Sequence, residues 1–133
     1  MAEWDDVRRV ALALPEVTEE AAHGHTGGLA WRVRDKTFLW ERPLRPRDLE
    51  ELGPDAPPGP VLAARVPDEG AKLALIAADP AVYFTTAHFT GFSAILCRLD
   101  RLDPDDLHEL ATEAWLVRAP KRLVKQFLEG SAS

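Results

Sequence analysis

One stretch constrains the fold more than any other: residues 82–99, VYFTTAHFTGFSAILCRL. A β-branched and aromatic run leads into a polar corner containing a glycine, and the corner gives way to the apolar run Ala94, Ile95, Leu96, Cys97. This order reads as strand, bend, strand, because branched and aromatic side chains suit a pleated surface and glycine frees the backbone for the reversal. The corner packs Tyr83, Phe84, Thr85, Thr86, His88, Phe89, Gly91 and Phe92 into a few positions, a density of aromatic, hydroxyl and imidazole groups found nowhere else in the chain. Two strands joined in this way make a mount for a displayed surface. The segment is answered near the C-terminus by EAWLVRAPKRL at 113–123.

The flanking segments supply the rest of the fold. Trp4, Val7, Val10, Ala11 and Leu14 recur at helical spacing and Pro15 closes the run, with Asp5 and Asp6 where the helix dipole favours acids. Thr18 to His25 is polar and ambiguous, with an edge strand as one reading, and glycines 24, 27 and 28 make a loop. Leu29, Trp31 and Val33 then alternate with Ala30, Arg32 and Arg34, and Thr37 to Arg42 continues as a second strand, which predicts a hairpin turning at Asp35-Lys36. Pro46 to Leu52 suits a short helix, GPDAPPGP at 53–60 a loop, and Val61 to Val66 a strand. Asp68 is placed as the N-cap of a helix over 69–78 with Leu73, Ile76 and Ala77 as its buried stripe.

Asp103-Pro104-Asp105-Asp106 starts another helix, which keeps Leu107, Leu110, Ala111, Ala114 and Trp115 on one face. Pro120 disfavours helical geometry at Ala119, so a last helix runs from 120 to 128 and residues 130–133 are expected to fray. The sum is an α+β fold: a single compact domain over 1–133, with helices packed on one face of a largely antiparallel sheet. Its predicted core contains Trp31, Phe38, Trp40, Leu96 and Trp115.

Composition narrows the function classes. A hydrophobic content of 46% in 133 residues suffices for one continuous core. The net charge of −6 and pI near 5.2 argue against broad attraction to nucleic acid, although a local patch can oppose the global sign. No window has the length of a membrane span, and MAEWDDVRR is acidic where a signal peptide is basic, so a cytoplasmic protein without membrane partners is expected. The single cysteine, Cys97, reads as a small buried hydrophobe.

Three constellations carry candidate chemistry. Arg118, Lys121, Arg122 and Lys125 form a basic cluster, three of them on one face of the last helix, and Arg32 and Arg34 could extend it. Such a stripe suits phosphates; equally it suits a solvated face whose lysine stems cover apolar surface. Thr85, Thr86, His88, Phe89 and Phe92 offer donors, a titratable ring and stacking surfaces for a base or nucleotide, against a local role as loop caps. His23 and His25 alternate on an extended segment, yet no third ligand stands at a diagnostic spacing, so no metal is expected. Neither a nucleophile elbow nor a phosphate-binding glycine loop is present, which favours a binding module over an enzyme and implies no cofactor.

LALPEV at 12–17, WRVRDKTFLWERP at 31–43, DPAVYFTTAHFTGFSAILCRLDRL at 79–102 and EAWLVRAPKRLV at 113–124 together resemble the MmcQ/YjbR family of small bacterial proteins. The resemblance spans nearly the whole chain. It departs at Ala87, Phe92 and Asp35, where the family typically has proline, tyrosine and glycine. It implies a frataxin-like α+β domain, similar also to type III secretion chaperones and described as a double-wing DNA-binding domain. DNA or another phosphate-bearing ligand is then the expected partner; a small anionic ligand or an enzyme site at 83–92, or metal binding on the frataxin pattern, are the alternatives.

Overall fold

A computed structural model describes residues 2–21 and 28–132, the side chains of 131 and 132 excepted. Its elements run α1 (Trp4–Leu12), β1 (Val17–Ala21), β2 (Leu29–Val33), β3 (Lys36–Glu41), α2 (Pro46–Leu52), β4 (Val61–Arg65), α3 (Glu69–Ala78), β5 (Tyr83–Phe84), β6 (Ala94–Arg98), α4 (Pro104–Arg118) and α5 (Lys121–Ala132). The strands form one antiparallel sheet in the order β1-β2-β3-β4-β6-β5. The α+β expectation and its antiparallel sheet therefore hold. The last helix runs through Gly130 to Ala132.

The central strands β4 and β6 are buried on both faces, as their unbroken runs Val61–Ala64 and Ala94–Cys97 require. On one face lies the main core, built from Trp31, Val33, Leu39, Leu62, Ala64, Ile95 and Cys97 beneath Val7 and Ala11 of α1 and Leu107, Ala111, Ala114 and Trp115 of α4. The other face carries a smaller cluster of Ala63, Phe84, Phe89, Ala94 and Leu96, closed partly by Leu52 of α2 and by Trp40 and Leu44. Asp68 and Asp103 cap α3 and α4, accepting from the amides of Ala71 at 2.8 Å and Asp105 at 3.2 Å.

Three expectations need correcting. The β2–β3 hairpin turns at Arg34-Asp35, one position earlier than expected, because Val33 pairs with Lys36. Arg34 takes φ +60°, and its amide and guanidinium both reach Glu16, which is itself at φ +56°, so the two left-handed residues support one another. Secondly, the register slips between Trp31 and Arg32, leaving Phe38 as an extra residue. Phe38 and Leu39 consequently both enter the main core, and Trp40 falls on the opposite face, half-buried. Thirdly, α3 buries Lys72 and packs with Ala71, Leu75 and Ile76, while Leu73 is 57% exposed and Ala77 is exposed. A lysine occupies the position that hydrophobic periodicity assigns to an apolar residue.

Candidate functional site

The corner folds as read. Tyr83 and Phe84 pair with Cys97 and Leu96, a single 3₁₀ turn covers Ala87–Phe89, and Gly91 at φ +76° lets the chain reverse and present Phe92. The carboxylate of Glu51 on α2 accepts the Ala87 amide, 3.0 Å from each oxygen. Arg42, buried at the end of β3, lays its guanidinium over the Phe89 ring at 5.3 Å. Arg42 also donates to the Pro43 carbonyl and lies 3.3 Å from Asp48. Burial pushes its pKa down and the Asp48 charge opposes that.

Beside this turn a cleft of about 730 Å³ opens on the sheet face that α2 leaves free. Its lining includes Ala30 and Arg32 from β2, Trp40 and Glu41 from β3, Arg65 from β4, His88, Phe89 and Phe92 from the corner, and Arg118 from the end of α4. Arg32, Lys36, Arg42, Arg45, Arg65 and Arg118 thus face three carboxylates, those of Glu20, Asp35 and Glu41. The cleft is cationic in a protein whose net charge is −6.

The disposition of these cations matters more than their number. Arg65 and Arg118 are half-buried, neither has an ion-pair or hydrogen-bond partner among the described residues, and the Nε of each is shielded and unbonded. The Arg65 guanidinium lies 4.5 Å from the Phe92 ring centroid. Burial first, and the neighbouring Arg118 charge second, lower the Arg65 pKa. Arg32 sits 3.4 Å from Glu20 without hydrogen-bond geometry at its Nε. Two arginines that repel one another, with no ion-pair partner among the described residues, bring uncompensated positive charge to the cleft.

The sequence-selected residues divide. His88, Phe89, Phe92 and Arg118 line the cleft together. Thr86 is buried with an unpartnered hydroxyl, and the Thr85 hydroxyl lies 3.5 Å from the Thr86 carbonyl; neither lines the cleft. Lys121 and Lys125 border a separate groove between α4 and α5, and Arg122 is exposed. Lys121 and His88 therefore do not share one cavity. Arg34 is engaged with Glu16 in the hairpin turn and does not extend the patch. Trp115 packs against Phe127 in the main core, with ring centroids 4.9 Å apart, on the opposite side of the sheet from Phe84 and Phe89.

Sequence reading missed Trp40, Arg42, Arg45 and Arg65. The available signal was Arg65, whose period-two alternation with Val61 and Ala63 places a charge on the same sheet face as two buried apolar residues. His23 and His25 lie outside the described residues, among which no group of three or more His, Cys, Asp or Glu side chains is placed to hold a metal ion. No helix among the described residues is long and apolar enough to cross a membrane.

The chain is 51% identical over 134 residues to "Uncharacterized protein Rv2570" of Mycobacterium tuberculosis and to "Uncharacterized protein Mb2600" of Mycobacterium bovis, covering 98% of this chain and 99% of each relative. No solved structure matches the chain. The YjbR family model matches residues 12–117, a span that runs from the end of α1 through the sheet and the aromatic corner to the penultimate residue of α4. On that match, and on near full-length similarity to the mycobacterial relatives, the chain belongs to the YjbR family.

Proposed function

We propose that the chain is a non-enzymatic binding module for nucleic acid, and that the cleft takes a single-stranded segment. The supporting observation is the pair Arg65 and Arg118, half-buried cations without a carboxylate partner among the described residues, the first of them over the ring of Phe92. Guanidinium groups hold phosphate oxygens in bidentate fashion, and Trp40 and Phe92 offer flat faces on which a base can stack. A cleft of about 730 Å³ is of the size that takes a nucleotide unit.

Catalysis is not part of this reading. Among the described residues His88 is paired with no carboxylate or hydroxyl, and its ring meets that of Phe89 edge-on at 5.0 Å. Cys97 lies inside the core with its thiol pushed up to about 12 by burial, which leaves no thiolate for attack. A second reading, a small phosphate-bearing metabolite in the same cleft, is favoured by the cavity's size.

Fluorescence anisotropy with a labelled oligothymidylate of about eight nucleotides, titrated over a series of salt concentrations, tests the proposal. Binding is expected to weaken steeply with salt, with Arg65→Gln and Arg118→Gln each lowering the slope of log K against log salt by about 0.7. Failure of the oligonucleotide to bind at low salt overturns the nucleic-acid reading, and saturable binding of a mononucleotide alone supports the second.

A further inference from the structure

We infer that Lys72 is a positioning residue for the cleft, acting from inside the protein through the main chain of the aromatic turn. The inference rests on the binding reading above. Lys72 is 1% exposed, and its ammonium donates to the Phe89 carbonyl at 2.8 Å. Its charged neighbour is Glu69, 54% exposed, at 3.5 Å. The same Phe89 carbonyl accepts the Phe92 amide at 3.0 Å. One acceptor therefore joins a buried cation to the backbone that orients Phe92, whose ring lies under the Arg65 guanidinium at 4.5 Å. The path from Lys72 to the proposed anion site is one carbonyl, one amide and one ring.

The orientation of α3 shows that this arrangement is favoured over the obvious alternative. Lysines on amphipathic helices normally run their stems along the apolar surface and keep the ammonium in water. Here the helix faces Lys72 inward and leaves Leu73 57% exposed. Desolvating an ammonium is costly, and one charge-assisted bond to a carbonyl with one carboxylate, the exposed Glu69, at 3.5 Å offsets only part of that cost. A fold seeking stability alone would turn the leucine in. What the buried lysine supplies is a fixed turn: Glu51 holds its first residue at the Ala87 amide, Lys72 its last at the Phe89 carbonyl, and Arg42 lies over the ring between its neighbours. A turn held at both ends presents Phe89 and Phe92 without an ordering cost on binding.

The test is Lys72→Met, which keeps the apolar stem and removes the donor. Hydrogen exchange of the ligand-free variant is expected to be about tenfold faster at the Phe92 amide, as loss of one charge-assisted anchor implies, with global stability retained. The Kd for the oligothymidylate is expected to rise about tenfold while the salt slope stays at the wild-type value, because no phosphate contact is lost. That split distinguishes positioning from a direct phosphate contact, which lowers the slope, and from a merely structural role, which lowers stability and leaves the folded protein's affinity intact. Unchanged exchange at Phe92, or unchanged Kd in a variant that folds, overturns the inference.

Should Lys72→Met fail to fold, the wild-type protein decides the matter by ¹⁵N NMR of the Lys72 ammonium. The inference expects that resonance to shift in step with the Phe92 amide during the titration, although Lys72 does not line the cleft; a stationary resonance overturns it. A wild-type protein that binds no oligonucleotide defeats the binding reading instead, and the exchange measurement alone then decides whether Lys72 fixes the turn.

Discussion

The indole Nε1–H of Trp115 donates a 3.0 Å hydrogen bond to the carbonyl of Pro15, 100 positions earlier in the chain. The bond ties the connection between α1 and β1 to the last turn of α4, and the ring, fully buried, packs on Phe127 of α5. One side chain thus joins three helices over the sheet.

Two substitutions separate its contributions. Trp115→Phe keeps an aromatic ring and leaves the Pro15 carbonyl unpaired, so a loss of about 1–3 kcal/mol is expected. Trp115→Ala removes the packing as well and should cost ~3–5 kcal/mol. Urea denaturation of both variants checks this, and equal losses would mean that the ring's packing contributes nothing beyond its hydrogen bond.

Glu19 provides an acid-sensitive contact on the edge strand. One of its carboxylate oxygens accepts from Arg8 at 2.8 Å and from the Trp31 indole at 3.0 Å. The Arg8 hydrogen bond is the largest cause holding its pKa below the usual 4.5, and burial opposes it. A carboxylate depressed in the folded state contributes stability that is fully present above its unfolded value and is lost as the pH falls through the folded one. Glu19→Gln should therefore cost about 1 kcal/mol near neutral pH, and its unfolding free energy should converge on that of the wild type in acid. A difference independent of pH would show that the charge of Glu19 plays no part.

At the alkaline end two buried groups act in the opposite sense. Burial pushes the Cys97 thiol from 9.0, and the Tyr83 phenol from 10.0, each up to about 12. Between those values the unfolded chain has released protons that the folded chain still holds, so stability falls as pH rises above about 9. Cys97→Ala should flatten the first part of that decline, measured by denaturant midpoints from pH 8 to 11, and native Cys97 should resist alkylation until the protein unfolds. Rapid alkylation of the native protein would contradict its burial.

Much of the fold was legible because pattern and packing agree. Asp103-Pro104 starts α4, the apolar positions assigned to it are those that bury, and Pro120 separates it from α5, all for local reasons visible in a few residues. The failures each have a tertiary cause. Trp40 was assigned to the core by period two, and a bulge at Phe38 sends it to the cleft instead. Leu73 was assigned inward by hydrophobicity, and the anchor that Lys72 makes with Phe89 turns it out. The cleft itself was only half legible, since Arg65 and Arg118 are separated by 53 positions in sequence (118 − 65) and meet through sheet and helix packing that no local spacing encodes.

That meeting carries a test of function that needs no identified ligand. Arg65 and Arg118 repel, and burial with that repulsion disfavours the charged form of Arg65 in the folded protein. A group kept at the expense of folding is expected where binding, not stability, uses it. Arg65→Gln and Arg118→Gln should each raise the melting temperature of the free protein by about 1–3 °C, because either change removes the like-charge pair. Inorganic phosphate or sulfate should stabilise the wild type in a concentration-dependent way, since an ion that binds only the folded state raises its stability by mass action. Both variants should lose that response, whereas Arg47→Gln, exposed on α2 and outside the cleft lining, should retain it. Thermal melts across an anion series provide the measurement. Destabilisation by either arginine substitution, together with an anion response equal to the wild type's, would assign the pair to the fold and remove it from the binding site.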